Sequence, residues 1–558
     1  MSRALRALRL TGVAVLVLLF GAMGSEPAAA TPTHEGILGT GSSWAALAVQ
    51  QWIYDTTKTG LKVTFTDSGS AQGRKDFAAG NTDYGVTDIG YQCQPGKQCD
   101  VRDQGDFSKR SYAYLPVVGG GTAFPYNLKV AGKPVTNLRL SGKTIAEIFT
   151  NKITNWNDPA ITHDNNGHPL PSIPIIPVVH SEGAGTTAMF TRYLAKMFPS
   201  LWGPFNHNDD SMTEYFPRQG AQVAQYGSDG VMNLIHGSSG NGSIGYNEYA
   251  YALAAGVPVA KVENAAGYYT LPTQFNDAVA LTKAVINMDK SSPDYLLQNL
   301  DGVYVNSDPR AYALSSYSYG LIPTAGSDVR MTSGKRQTLA DYLFYAVCSG
   351  QKNIGAIGYS ALPLNLVQAS FDQIQLLHKA DSSVDVTKQS PKNCGNPTFD
   401  PAHPNVNRLA EIDPAPPACD KDGAGPCTQD VTTSPGNNDP GTHSGGKHHG
   451  GSGSTDGGSG NGGGGGTGGT GGGNNPNQGG GTATSGPGGT GQQAVDPVTG
   501  QISQAAQQSS LGAAAPVPAT LPEQDGGTRL YVVLAVVLLI LIILAPPLLG
   551  RYLKRGKA

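Results

Sequence analysis

Between His34 and Asn405, apolar residues recur in two rhythms separated by turn signals. In "SSWAALAVQQWIYDTT", Trp44, Leu47, Ala48, Gln51 and Trp52 repeat at helical spacing, which predicts a helix with one buried face. "HEGILGTG" ahead of it reads as a strand, and "KVTFTDSGS" behind it alternates with the period of two that a strand shows. "AQGRKDFAAG" then reads as a short helix stopping at Gly80, and "TDYGVTD" as a strand ending on Asp88. Farther on, "PVVHSEGAGTTAMFTRYLAKM" reads as a strand, a glycine turn and an amphipathic helix opening on Thr186 and Thr187. The tyrosine-rich "DGVYVNSDPRAYALSSYSYG" is expected to return the chain to the first lobe as a strand. Strands alternating with helices predict an α/β fold with a mostly parallel sheet, whose ligands sit outside the carboxyl ends of the strands. The stretch 34–405 suits two lobes better than one core.

Composition changes the picture at both ends. "MSRALRALRLTGVAVLVLLFGAMGSEPAAATP" has early arginines, an apolar run and a small-residue stretch, so residues 1–30 are expected to form a signal peptide. Residues 414–527 are rich in Pro, Gly and Ser and cannot bury enough apolar surface to offset their ordering entropy, which predicts a disordered linker. His443, His448 and His449 within it read as part of a solvated polar tract. Leu530 to Leu549 matches the run of about 20 apolar residues that crosses a hydrocarbon core. The basic residues of 550–558 would lie on the cytoplasmic side. The expected product is a single-pass protein of the cell membrane, its globular head outside on a long tether.

The net charge of −3 gives no reason to expect nucleic acid as a partner. Six cysteines in an exported chain favour disulfides. Cys93 with Cys99 and Cys419 with Cys427 each bracket a short loop, which leaves Cys348 for Cys394. The sequence shows no CxxC pair, and its globular part has no G-x-S-x-G elbow, H-E-x-x-H motif or P-loop. A binding protein without metal or cofactor is therefore expected, not an enzyme.

One feature recurs: a Gly-Ser/Thr turn after a strand and before a helix. "GTGSSW" places Ser42 and Ser43 at one helix start, "DSGSAQG" places Ser70 at a second, and "SEGAGTT" places Thr186 and Thr187 at a third. Each start offers backbone N–H groups, a hydroxyl and the positive end of a helix dipole. Any one alone is an ordinary N-cap. Three together, with Asp88 at a strand end, suit an oxyanion held without a net basic charge.

Those residues carry a resemblance. "GTGSSWAALAVQQW", "SGSAQGRKDFAAGNTDYGVTD", "KITNWNDPAI", "HSEGAGTTAMFTRYLAKM", "GSDGV" and "GSIGYNEYAYA" resemble, in order and spacing, the phosphate-binding proteins of ABC importers. The likeness covers most of Gly36 to Gln375. It implies a two-lobed periplasmic-binding-protein-like fold of type II, closing over inorganic phosphate and delivering it to importer permease subunits. It also implies a ligand set of Ser43, Trp44, Ser70, Asp88, His180, Ala184, Gly185 and Thr186.

This chain departs from the family at that set. His180 and Ala184 stand where the family usually has arginine and serine, and Glu182 is the acid that would hold the arginine. Hydrogen bonds to charged groups contribute about 1.5–3 kcal/mol, so these losses would weaken binding roughly a hundred- to a thousandfold. A protonated His180 would restore part of the charge, and binding should then strengthen as pH falls. Arg74 and Arg218, the other nearby cations, read as solvated surface groups. Asp88 favours a ligand that carries a proton, phosphate or arsenate over sulfate. The alternative is a surface sensor or interaction module whose anion site has decayed.

Overall fold

The computed structural model describes residues 33–93, 99, 101–391, 394–399 and 406–427. Its first sheet is built from β1 (Ile37–Gly41), β2 (Val63–Thr66), β3 (Tyr84–Thr87) and β4 (Tyr112–Ala123). The second sheet uses β5 (Tyr126–Asn127), β6 (Ile176–His180), β7 (Val223–Gln225) and β8 (Ser243–Gly245). Two more strands, β9 (Asn247–Glu248) and β10 (Ser315–Pro323), return to the first sheet, whose order is β9-β4-β10-β3-β1-β2. The second has the order β7-β6-β8-β5.

Both sheets are mixed. β1 runs parallel to β2 and β3, and β6 runs parallel to β7 and β8. β10 pairs antiparallel with both β3 and β4, and β8 with β5. The expectation of a mostly parallel sheet therefore holds only for the strand–helix–strand units. The tyrosine-rich segment does supply a strand to the first sheet, but it enters reversed between β3 and β4.

The helices follow the expected periodicity in part: Trp44 lies ahead of the first helix, and Leu47 and Gln51 are only half-buried. α1 (Ala46–Thr57) buries Ala48, Val49 and Trp52, and α2 (Ser70–Ala78) buries Ala71, Arg74 and Phe77. α3 (Gly185–Met197) follows β6, α4 (Gly227–His236) follows β7, and α5 (Tyr249–Ala255) follows β9. α6 (Ser333–Val347) and α7 (Leu364–Ala380) complete the first lobe. Close packing of α1 depends on β4 glycines: a Cβ at Gly120 would stand 2.9 Å from the Trp44 ring.

The chain passes between the sheets at two adjacent places, Ala123 to Tyr126 and Gly245 to Asn247. These crossings are tied side by side, since Gly245 N donates to Pro125 O at 2.9 Å and Asn247 pairs with Ala123. Beyond them, Phe124, Phe149, Phe190, Phe216 and Tyr246 form an aromatic core for the second lobe.

Disulfides join Cys93 to Cys99, Cys348 to Cys394 and Cys419 to Cys427. The folded body reaches beyond the expected limit at residue 405, and Pro414 is too early a start for a linker. Lys261 pairs with Asp420 at 2.6 Å, Arg139 Nη1 donates to Cys419 O, and Asn166 donates to Gly425 O. These contacts use backbone carbonyls, one buried ion pair and a disulfide in place of an apolar stripe, which is why composition hides them.

Among the described residues, no helix is long and apolar enough to cross a membrane. The expected signal peptide 1–30, the apolar run Leu530–Leu549, the tail 550–558 and the linker after Cys427 lie outside the described residues.

Candidate functional site

Asp88 follows β3 and is 2% exposed. Ser42, leaving β1, donates its hydroxyl to both Asp88 oxygens at 2.9 and 2.7 Å, and accepts the Ala45 N–H at 3.1 Å. Ser70, the first residue of α2, donates to Asp88 Oδ2 at 2.9 Å. Glycine makes this convergence possible. Gly69 takes φ +89° at the entry to α2, and a Cβ at Gly73 would stand 2.3 Å from the Gly41 Cα. Burial pushes the Asp88 carboxyl up from its ordinary value, while the hydroxyls of Ser42, Ser318 and Ser70 and the charge of Arg74 pull it back.

The third turn comes from the other sheet and meets the same carboxylate. A Cβ at Gly185 would lie 1.9 Å from Asp88 Oδ2, so the first turn of α3 rests directly on Asp88. Ala184 stands at the N-cap with no side-chain cap bond, which leaves the opening N–H groups of α3 without a side-chain acceptor. Thr186 is buried and its Oγ1 has no hydrogen-bond partner. Farther along the turn, the Gly183 carbonyl accepts the N–H of Ala71 from α2 at 3.1 Å.

His180 ends β6 with its side chain wholly buried. Its Nδ1 lies 2.9 Å from Glu182 Oε1, and Glu182 Oε2 accepts the Gly227 N–H at the start of α4. Although burial pushes the Glu182 carboxyl up, hydrogen bonds from His180 and the Gly227 N–H hold it below its ordinary value. Tyr246 accepts the His180 N–H at 3.4 Å and shares a 2.9 Å hydrogen bond with Thr187. The imidazole Nε2 has no partner.

Of the residues expected here, Asp88 touches both Ser70 and Gly185, with Ala184 and Thr186 in the same turn as Gly185. The serine on Asp88 is Ser42 and not Ser43. Ser43 accepts from Ser228 Oγ at 3.2 Å, and its carbonyl accepts from the Tyr251 hydroxyl at 2.8 Å. Trp44 is a buried wall, edge-on to Tyr359, with no partner for its Nε1.

Arg74 is not solvated. It is 0% exposed, donates to Asp106 at 2.7 Å and Glu214 at 2.5 Å through Nη2, and to Thr87 at 3.1 Å through Nη1. Arg74 lies four residues after Ser70 and so on the same helix face, but that spacing alone does not tell a buried face from a solvated one. Glu214 comes from the second lobe, and its carbonyl accepts the Ala184 N–H. Asp103, Asp106 and Glu214 bring ligand atoms within 4.8 Å of one another, as a metal site would. The Arg74 guanidinium supplies positive charge there. Burial, together with Asp106 and Asp103, pushes Glu214 up to about 8 against the pull of Arg74. Arg218 is exposed, as expected.

The family described as PBP superfamily domain matches residues 26–349. Among curated proteins, phosphate-binding protein PstS of Methanocaldococcus jannaschii is 29% identical over 346 residues, covering 61% of this chain and 85% of that protein. Phosphate-binding protein PstS 3 of Mycobacterium tuberculosis is 28% identical over 330 residues, covering 58% and 82%. A solved phosphate-binding protein from Stenotrophomonas maltophilia is 16% identical, covers 61% of this chain and 93% of its own, and superposes with a TM-score of 0.44.

Proposed function

The chain belongs to the PBP superfamily, and on that premise we propose that its crevice captures inorganic phosphate outside the cell and hands it to an ABC-type importer. The chain is a binding protein and not an enzyme. The observation that carries the phosphate reading is the buried Asp88 carboxylate lying against Gly185 at the uncapped start of α3. A helix start and its dipole favour an anion, whereas a carboxylate repels one. The two are reconciled by a tetrahedral oxyanion that donates its own proton to Asp88. Hydrogen phosphate and arsenate carry that proton at neutral pH; sulfate does not.

In this reading Gly185 and Thr186 donate from α3, the Ser70 backbone N–H and the Ser43 hydroxyl donate from the first lobe, and Trp44 and Ala184 line the space. His180 takes the place of a permanent cation. Delivery to permease subunits, with the head held by Leu530–Leu549 at the membrane, belongs to the same proposal. His180 and Ala184 favour a second reading, a surface sensor on the same fold with a weakened anion site.

Isothermal titration of the protein with phosphate, arsenate and sulfate tests the reading. Heat and thermal stabilisation with the first two and none with sulfate are expected. Silence with all three would leave the sensor reading standing.

A further inference from the structure

Two polar atoms flanking the third turn are buried and unpartnered, His180 Nε2 and Thr186 Oγ1. The other nitrogen of the imidazole is committed. Glu182 Oε1 lies 2.9 Å from Nδ1, and a carboxylate there can only accept, so Nδ1 carries the hydrogen. In the neutral ring Nε2 is then a lone pair. It precedes by five residues the glycine that rests on Asp88, a second buried acceptor.

The charged and titratable groups around the ring leave that lone pair uncompensated. On its own turn stands Glu182, and from beyond β8 comes Tyr246, whose ring centroid is 5.4 Å away. At α4 stand Tyr226, whose hydroxyl is given to Ser68 O, and Asp229. Across the third turn, Asp88 lies against Gly185, and Arg74 is already bonded to Asp106 and Glu214. An oxyanion placed between Asp88 and a bare Nε2 would meet two acceptors while carrying one proton.

We propose that the crevice takes up one proton from solvent with each hydrogen phosphate it binds, the added proton lying between a phosphate oxygen and His180 Nε2. This rests on the phosphate reading above. The balance is simple: a site with neutral His180 and ionised Asp88, a hydrogen phosphate dianion and one proton released by a buffer acid give a complex with two shared protons. One bridges to Asp88, and the other forms a charge-assisted hydrogen bond at His180. No bond between heavy atoms forms or breaks. His180 is thus a specificity-determining residue, selecting an anion and a proton together and making affinity fall about tenfold per unit rise in alkaline pH.

The test is calorimetric titration of the full chain with phosphate at about pH 8.5, where histidine side chains are ordinarily neutral, in two buffers of different ionisation enthalpy. The dependence of heat on buffer is expected to give about one proton taken up per phosphate bound, since one linked site binds one proton. The His180→Gln variant, whose amide can donate without protonation, should bind with uptake near zero. Wild-type binding without uptake would overturn the proposal and leave the phosphate reading intact, and so would a variant that still takes up a full proton. Absence of phosphate binding at any pH would remove the phosphate reading, and this proposal with it.

Discussion

At Gly185 the backbone lies so close to Asp88 that a methyl group has nowhere to go, its ideal position being 1.9 Å from a carboxylate oxygen. Overpacking of this kind costs about 1–3 kcal/mol. Gly185→Ala should therefore weaken phosphate binding by about ten- to a hundredfold in a titration. Ser42→Ala removes a hydroxyl from a buried carboxylate, at about 1.5–3 kcal/mol for a bond to a charged group, and should weaken binding at least about tenfold. Unchanged affinity in either variant would contradict the site as drawn. Asp88 and Ser70 were legible because a strand end and a glycine-led helix start leave few places for a side chain to go. The choice between Ser42 and Ser43 was not, since α1 begins only at Ala46 and a one-residue shift at a helix entry exchanges the two hydroxyls.

Among the elements, α2 carries a pH-dependent contribution to stability. Its buried face carries Arg74, which gathers Asp106 from its own lobe and Glu214 from the other. Burial, with the charges of Asp106 and Asp103 beside it, raises Glu214 from 4.5 to about 8 against the pull of Arg74. The folded state then keeps a proton that the unfolded chain releases. Stability from this group is complete below about pH 4.5 and is lost as pH rises through about 8, by at most about 1.4 kcal/mol per unit. Thermal melts between these limits should show that decline in wild type, and Glu214→Gln should flatten it. An equally steep decline in the variant would place the proton elsewhere. Periodicity exposed α1 and α2 because each keeps one side buried, whereas α3 is buried all round its first two turns. It could not reveal the buried cluster, since an arginine on a short helix looks the same whether it faces water or two acids from distant loops. The reversed entry of β10 was equally hidden, because strand patterning carries no direction.

For the molecule as a whole, two adjacent crossings join lobes that meet again at Asp88, Gly185 and Arg74. The segment through Cys427 is also part of the body, anchored by the buried Lys261–Asp420 pair. Removing one partner of a buried ion pair costs about 3–5 kcal/mol. Asp420→Asn should lower unfolding stability by about that amount in a denaturant titration while leaving phosphate affinity unchanged. A loss of affinity would mean that this segment acts on the crevice. Two lobes followed from the length of the globular stretch and the repetition of strand–helix units. The boundary near Pro414 did not, because carbonyl contacts leave no trace in composition.

The central claim is that three turns from two lobes share one protonated tetrahedral anion, and a crystal structure of the protein with phosphate addresses it most directly. Density for one phosphate within hydrogen-bonding reach of Asp88, the first turn of α3 and His180 Nε2 is the expected result. Phosphate bound elsewhere, or Asp88 facing none of its oxygens, would contradict it.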